Sequence, residues 1–479
     1  MKDRKIVLAL SKLSLIELNS FTKFMHSPYF NVNVHLTDLY LMIFEHIKNQ
    51  DIQNQHPQNF WSAIFPNTPY QNSKFLKMTS DLTDLLEQFL AQKEFDASVS
   101  LKSQLKLEGV RKRNLEPLYN SIIGETERLQ NIEINQSSEF YLQKYQIEKN
   151  IFSLKTENEK KNEKFEINST LNIKDIADNL DYFYIAEKLR LYCTLLSWKK
   201  MYKLDIELND VQSIVNLATS SRYEKIPTIS MYYTMYLTFV DEDNLENYYS
   251  LRSLMNKFIH IFPAEEQRII YQTAISYCIN KGNKNITQFH KESFEIYKEA
   301  LINNILIVNN EMLVTTYRNI VPIALRVEEY AWAENFILDY AKYVDEKYRN
   351  NAVEFSLARL EFYRKNYGKV LDHLNKVSFE DVWYNINAKT IYLHTYYELD
   401  EMDALESLLQ SFKMFIKREK SLTDDRKEHY LKLIKFTNAL IKLYPRDKKK
   451  VLKLKDEIEN TKGITSKLWL IEKVNEMLK

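Results

Sequence analysis

Glycine is almost absent from this chain, and its scarcity limits the available folds more than any other feature. The sequence holds five glycines in 479 residues, where ordinary usage of about 7% would supply roughly thirty. Tight β-hairpin turns rely on glycine because it adopts left-handed backbone angles freely. Phosphate-binding loops need several glycines close together, and no two of these five are closer than fifteen residues. The sequence therefore predicts a helical protein and argues against P-loop and dinucleotide-binding enzymes.

Apolar residues recur mainly at intervals of three and four, which is the period of an α-helix. One such stripe follows Ser14, a residue that can cap a helix, and Glu17 stands three residues on to complete a capping box. Proline disfavours helical geometry in the residue before it, so this helix is predicted to end before Pro28. The same period returns throughout the chain, and we expect an all-α fold.

Three regions can be distinguished along the chain. Residues 1–135 are predicted to form an N-terminal helical unit, 136–224 a connector of long helices, and 225–479 a helical-repeat array. The polar stretch 139–168 is the candidate boundary, either as a long solvated helix or as a flexible hinge. The final helix is predicted to cap the array. The apolar residues assigned to that cap are Leu468, Ile471, Val474 and Leu478.

Charge and cysteine usage exclude several classes of protein. There are 66 Lys and Arg against 65 Asp and Glu, a net charge of +1, so no bulk field attracts nucleic acid or anionic membrane. The two cysteines, Cys193 and Cys278, lie in apolar helical surroundings and are predicted to be buried free thiols. The longest uncharged stretch, 226–240, is shorter than the ~20 residues that span a bilayer. The apolar run at 6–10 is short for a signal peptide, and we expect a cytoplasmic protein.

Motifs that carry catalysis or bind metal are missing from the sequence. It contains no H-E-x-x-H, paired C-x-x-C or G-x-S-x-G. The acidic cluster 241–244 lacks the spaced oxygens and central glycine of a calcium loop, and we expect a turn that caps the next helix. We therefore predict a non-enzyme without cofactor or metal, while an enzyme with an unrecognised helical site remains an alternative.

The second half of the chain contains self-similar segments. Residues 321–340, 358–377 and 391–412 share one helix-turn-helix pattern, and the equivalent residues Tyr330, Tyr367 and Met402 are separated by 37 and 35 positions. These segments resemble the tetratricopeptide-repeat superfamily, whose period is 34, over residues 225–445. The resemblance implies a TPR-like α-α superhelix in which stacked helix pairs bury one another's apolar faces. The opening of the chain, with L-S-x-x-E-L-x-x-F-x-x-F and S-P-Y-F-N, also resembles uncharacterised bacterial helical proteins.

The same resemblance implies a partner-binding concave surface lined by recurring positions of the first helix in each pair. Arginine forks suit carboxylates and aromatics supply anchors, so this groove is predicted to hold an acidic or C-terminal peptide segment. Alternatively, the arginines are solvated and paired with Glu328, Glu329, Glu361 or Glu398. The predicted groove residues are Arg318, Arg326, Arg359, Phe362, Tyr363, His394 and Tyr397.

The function predicted from these features is a non-catalytic protein–protein interaction scaffold or adaptor. The main alternative is a helical regulator associated with nucleic acid or a ribonucleoprotein, acting through the arginines or the basic stretch 448–455. The 32 tyrosines are also compatible with base stacking. Packing between helices is the simpler use of these rings, and the neutral net charge argues against a phosphate groove.

Overall fold

The computed structural model describes residues 4–130, 135–161, 172–202, 204–284, 286–379, 381–443 and 447–479. These residues are helical and contain no β-strand, apart from an isolated bridge between Val308 and Glu311. The predicted all-α fold is confirmed. The polar stretch 139–168, proposed as a boundary, lies partly in a helix and partly, at 162–168, outside the described residues.

The α-helices of the described residues are listed here in chain order. They are α1 (Lys5–Leu10), α2 (Leu15–Met25), α3 (Val34–Lys48), α4 (Pro57–Ile64), α5 (Asn72–Ala97), α6 (Val99–Lys112), α7 (Tyr119–Gln130), α8 (Ser138–Lys161), α9 (Ile173–Tyr202), α10 (Val211–Ala218), α11 (Pro227–Val240), α12 (Leu245–Phe258), α13 (Ala264–Asn283), α14 (Gln288–Ile302), α15 (Val314–Arg326), α16 (Tyr330–Asp339), α17 (Glu346–Tyr363), α18 (Tyr367–Leu374), α19 (Val382–Glu398), α20 (Met402–Arg418), α21 (Asp424–Lys442), α22 (Lys448–Asn460) and α23 (Lys467–Leu478).

The chain divides into two compact units, Met1–Tyr232 and Tyr233–Lys479. In the first unit, α1 to α5 enclose one apolar core in which Phe21 packs edge-on against Tyr40, with ring centroids 4.8 Å apart. The Tyr40 hydroxyl donates a hydrogen bond of 2.6 Å to the Leu18 carbonyl, so its polar atom is satisfied inside the core. A second core joins α6, α7 and α8.

The start of α2 agrees with its sequence pattern. The Ser14 hydroxyl accepts from the Glu17 amide at 3.2 Å, and the Glu17 carboxylate accepts from the Ser14 amide at 2.8 Å. The Ser14 hydroxyl also donates to the Glu17 carboxylate at 2.6 Å, and this bond, together with that from the Ser14 amide, lowers the pKa of Glu17. The two residues form the predicted capping box. The helix ends at Met25, ahead of Pro28.

In the second unit, helices pack mainly against their neighbours in sequence. The helices α15 and α16, α17 and α18, and α19 and α20 form contacting pairs, and α17 also contacts both α15 and α19. The apolar cores are correspondingly local, one centred on α17 to α19 and another on α19 to α23. Each helix pair therefore hides its apolar face against the next.

Three of these pairs are joined by the same turn. The middle residue of each three-residue connection is left-handed: Glu328, Lys365 and Asp400 have φ of 63°, 62° and 59°. The amide of the next residue donates to the carbonyl five positions earlier, over 3.0, 2.9 and 3.0 Å, as in a Schellman cap. The second helices begin at Tyr330, Tyr367 and Met402, the equivalent residues that the sequence spacing identified.

The cap assigned to α23 is partly wrong. Leu468 is 77% exposed, whereas Leu470 and Val474 are fully buried. Ile471 and Leu478 are partly buried against the same core, as expected. Four consecutive apolar residues, from Leu468 to Ile471, open this helix, and their sequence alone does not say which face turns inward.

The two cysteines are buried and free, as predicted. Burial raises the pKa of the Cys278 thiol to about 12, and the Cys193 thiol lies 3.6 Å from the Tyr232 carbonyl. Neither thiol has the exposed, electropositive surroundings of a reactive cysteine.

Candidate functional site

A cleft of about 480 Å³ lies between the N-terminal halves of α19 and α21. We call it the α19–α21 cleft. Two loops complete its wall, at Ser421 and at Thr465, and none of its ten lining residues is acidic. The helical side chains that line it are Val382, Trp383, Ile386 and Asn387 from α19 and Arg426, His429 and Tyr430 from α21.

Arg318 is not itself a lining residue, but it stacks on Trp383, which lines the cleft. Its guanidinium carbon lies 3.9 Å from the centre of the Trp383 ring and 5.1 Å from that of Tyr384. The Arg318 Nε is buried and has no hydrogen-bond partner among the described residues. The cation–π contact stabilises the guanidinium group, but the Nε–H donor of Arg318 makes no hydrogen bond among the described residues.

Arg359 approaches the same aromatic side chain from α17. Its guanidinium carbon is 5.0 Å from the Phe355 ring centre and 5.9 Å from that of Trp383. Its Nη2 lies 3.5 Å from Asn387 Oδ1, which lines the cleft. Burial lowers the pKa of Arg359 to about 10, and the neighbouring charges of Arg326 and Arg318 act in the same direction. The site is therefore a desolvated concentration of positive charge.

The positive charge extends to α21 through Tyr430. Burial raises the pKa of the Tyr430 hydroxyl, and the charges of Arg426 and Arg359 both oppose that shift. The phenol thus lies close to an arginine from each of two helices. A negatively charged group near Tyr430 would be attracted by both.

No carboxylate neutralises these arginines within the described part of the chain. Arg318, Arg326 and Arg359 form no ion pair there, and Arg326 has only a 3.5 Å contact with Asn283. The alternative in which they pair with Glu361 or Glu398 fails, because Glu361 pairs with Arg364 at 3.1 Å and Glu398 with Lys473 at 2.7 Å. Glu328 and Glu329 likewise form no ion pair with them among these residues.

The predicted aromatic residues are divided between the surface and the interior. Tyr363 is 42% exposed, with its ring 6.4 Å from that of Tyr330. Phe362 is half-buried, between Tyr367 at 5.7 Å and His394 at 5.8 Å. Tyr363 is therefore the more accessible of these two rings.

His394 does not line an open groove, which corrects its predicted position. Trp469 from α23 covers it with a ring separation of 4.2 Å and also contacts Tyr397 at 5.2 Å. The Trp469 indole donates to Glu398 Oε1 at 3.2 Å, which fixes the cover in place. Burial, with the nearby Lys473 charge, lowers the pKa of His394 to about 3. This histidine is therefore neutral and structural.

One glycine positions a side chain of the cleft. Gly463 has a left-handed φ of 65°, and any side chain there would overlap the His429 ring. The loop can therefore approach α21 closely enough for the Thr465 amide to lie 3.3 Å from the His429 carbonyl. Two acidic groups stand nearby, Asp425 at 3.6 Å from His429 Nε2 and Glu419, which accepts from the Ser421 hydroxyl at 2.7 Å. These two carboxylates thus contact His429 and Ser421, and among the described residues neither forms an ion pair with Arg318, Arg326 or Arg359.

Elsewhere the described residues hold no cluster of three or more His, Cys, Asp or Glu that could bind a metal. The acidic cluster at 241–244 ends in a cap, as predicted, because Asn244 accepts from the Glu246 amide at 3.2 Å. Asp243 pairs with the buried Lys281 at 2.9 Å. None of the described helices has the length and apolar character needed to cross a bilayer.

Sequence reasoning missed the residues at the centre of the cleft. It considered one set of first-helix positions and passed over Trp383 and Asn387, which lie four residues apart on one face of α19. Trp383 is one of five tryptophans in the chain, and that rarity was the available signal. Arg426 and Tyr430, also four apart, come from a helix outside the three self-similar segments.

No protein-family model, curated protein or solved structure matches this chain. The tetratricopeptide-like repeat assignment therefore stays a prediction that depends on the spacing and turns of this sequence alone.

Proposed function

We propose that this chain is a non-catalytic interaction scaffold that binds an acidic segment of a protein partner at the α19–α21 cleft. One observation carries the proposal: Arg318 and Arg359 converge on Trp383 without a carboxylate partner among the described residues. A desolvated cation without a counterion is unfavourable by itself. A ligand carboxylate supplies the missing charge.

The chemistry of the cleft suits such a segment. A guanidinium fork binds a carboxylate through two parallel hydrogen bonds, and the Arg318 Nε retains an unused donor. Trp383 and Tyr430 add large, rigid rings beside the charges, and such residues dominate the affinity of protein interfaces. In a bound segment, an acidic side chain would pair with the arginines and a neighbouring apolar side chain would pack against the two rings.

The surroundings favour a protein partner over nucleic acid. The basic stretch 448–455 is partly neutralised, because Lys450 pairs with Asp447 at 3.3 Å and Lys455 with Glu459 at 3.9 Å. With a net charge of +1, the chain lacks the excess of cations that a phosphate backbone requires. The three equivalent turns agree with a tetratricopeptide-like array. In such an array the cleft would correspond to a peptide-binding groove. A cytoplasmic location is part of this proposal, and the two free, buried cysteines agree with a reducing compartment.

The test compares two fluorescently labelled peptides by anisotropy. One alternates Glu or Asp with Phe or Leu, and the other replaces each acid by its amide. We expect the acidic peptide to bind the full chain and the amide peptide to bind at least about tenfold more weakly, since hydrogen bonds between charged groups are the stronger class.

Two matched variants locate the binding. Arg359→Met should weaken binding at least about tenfold, whereas Arg418→Met removes the same charge from an exposed position on α20 and should leave it unchanged. Equal binding of both peptides, equal affinity of Arg359→Met, or no binding of the acidic peptide would each refute the proposal. Salt-sensitive binding of a single-stranded oligonucleotide that Arg359→Met abolishes would support the nucleic-acid alternative instead.

A further inference from the structure

A second, smaller cleft opens on a different face of α19. Its volume is about 190 Å³, and it lies against Phe379 and against Leu408 of α20. From α19 it receives Asn385, Ala388, Lys389, Tyr392 and Tyr396. We call it the Lys389 cleft. It is separate from the site of the proposed function and shares only the helix.

Two polar side chains of the wall, those of Tyr392 and Asn385, are engaged within the protein. The Tyr392 hydroxyl lies at 3.0 Å from Asn375 Oδ1, to which it donates, and the Asn385 side chain donates to the Phe379 carbonyl at 3.3 Å. The rings of Tyr392 and Tyr396 stack with centroids 5.7 Å apart. The interior surface is therefore largely aromatic and aliphatic.

Lys389 is the one charged residue among those that line the cleft. Among the described residues, its ammonium group makes neither an ion pair nor a hydrogen bond, although the side chain is half-buried. Burial lowers its pKa, with no carboxylate to oppose the shift. This ammonium group is therefore partly desolvated and has no counterion among the described residues.

We propose that the Lys389 cleft binds a small aromatic carboxylate, whose anion pairs with Lys389 Nζ and whose ring packs against Tyr392, Tyr396 and Leu408. The volume is below the 300–1,000 Å³ of typical ligand pockets, so the ligand has about one ring. The charge also limits the choice. A single ammonium matches a monoanion, while the apolar walls offer nothing to hydrate the second charge of a phosphate.

The experiment uses phenylacetate and its neutral isostere phenylacetamide, each titrated into the full chain by isothermal calorimetry. We expect saturable binding of phenylacetate and at least about tenfold weaker binding of phenylacetamide, because only the anion forms a charge-assisted bond. If phenylacetate does not bind up to about 10 mM, which corresponds to a very weak affinity, or if both compounds bind equally, the proposal is wrong.

Variants then assign the binding to Lys389. Lys389→Met should remove the preference for the anion, Lys389→Arg should retain it, and Lys413→Met, an exposed position on α20, should match the unmodified chain. Unchanged phenylacetate binding in Lys389→Met overturns the proposal even if the other variants behave as expected. Because the acidic-peptide assay reports on other residues, Lys389→Met should leave it unaltered, and the two proposals fail separately.

Discussion

Arg318 and Trp383 form a close cation–π pair, with the guanidinium carbon 3.9 Å from the centre of the indole ring. Arg359 lies 5.9 Å from the same ring. Such contacts stabilise a desolvated cation by up to about 2 kcal/mol. Two arginines therefore lie beside the same tryptophan. At most buried structural sites a carboxylate would pair with such cations.

Arg359 is predicted to contribute little to the free energy of unfolding, in contrast to its neighbour Arg364. Arg359 has no ion-pair partner among the described residues, so Arg359→Met removes a desolvated charge and should leave the protein equally or more stable. Arg364 pairs with Glu361 and with Glu334 at 2.6 Å. Arg364→Met leaves the buried Glu361 short of a cation and should destabilise the protein by about 1–3 kcal/mol.

Urea unfolding of both variants, followed by circular dichroism, measures this difference. Each variant removes one arginine from the second unit, so each controls for the change in net charge. A loss of stability in Arg359→Met as large as that in Arg364→Met would show that the contacts of Arg359 with Phe355 and Trp383 outweigh the cost of its desolvation.

The left-handed turns predict stabilising glycine substitutions. Lys365 has φ of 62°, a conformation that is unfavourable by about 1–2 kcal/mol for residues with a side chain. Lys365→Gly should therefore stabilise the protein by up to about 1 kcal/mol, after the extra backbone entropy of glycine in the unfolded chain is subtracted. Glu328→Gly and Asp400→Gly should have the same sign, because their turns have the same geometry.

Asp372→Gly is the matched control for these variants. Asp372 is exposed within α18, where glycine is less favourable than aspartate by a few tenths of a kcal/mol. In thermal melting, the three turn variants should raise the melting temperature and Asp372→Gly should lower it. Destabilisation by all three turn variants would show that contacts of the native side chains outweigh the backbone strain.

His394 predicts a loss of stability in acid. Its pKa is about 3 in the folded protein, against about 6.5 in an unfolded chain. Above pH 6.5 both states are neutral and the histidine has no effect. As the pH falls from 6.5 towards 3, only the unfolded state takes up the proton, so stability should fall by up to about 1.4 kcal/mol per pH unit.

The variant His394→Phe keeps a ring between Phe362 and Trp469 and removes the titrating group. The difference in unfolding free energy between it and the unmodified chain should change with pH in that window, while carboxylates contribute equally to both. His260→Gln, at an exposed position, should behave like the unmodified chain. Parallel pH profiles for His394→Phe and the unmodified chain would show that His394 is accessible to protons when folded.

Local signals in the sequence were sufficient for the helices and several of their ends. The capping box of Ser14 and Glu17 involves residues three apart, and the spacing of Tyr330, Tyr367 and Met402 reflects one turn used three times. Both depend on backbone geometry within a few residues. For that reason they are readable without a structure.

Contacts between distant segments were not predictable in the same way. His394 is buried because Trp469 lies over it from another helix, and the sequence gives no sign of that contact. The exposure of Leu468 depends on which face of α23 meets the core. The sequence singled out the arginines, but their meeting point at Trp383 depends on the packing of α15, α17 and α19.

The helix α19 contributes to both clefts, through Trp383 and Asn387 on one side and Asn385 and Lys389 on the other. If both proposed ligands bind, any effect that one has on the affinity of the other through α19 must be matched by an equal effect in the reverse direction. A single helix would then carry a small carboxylate on one face and a protein segment on the other.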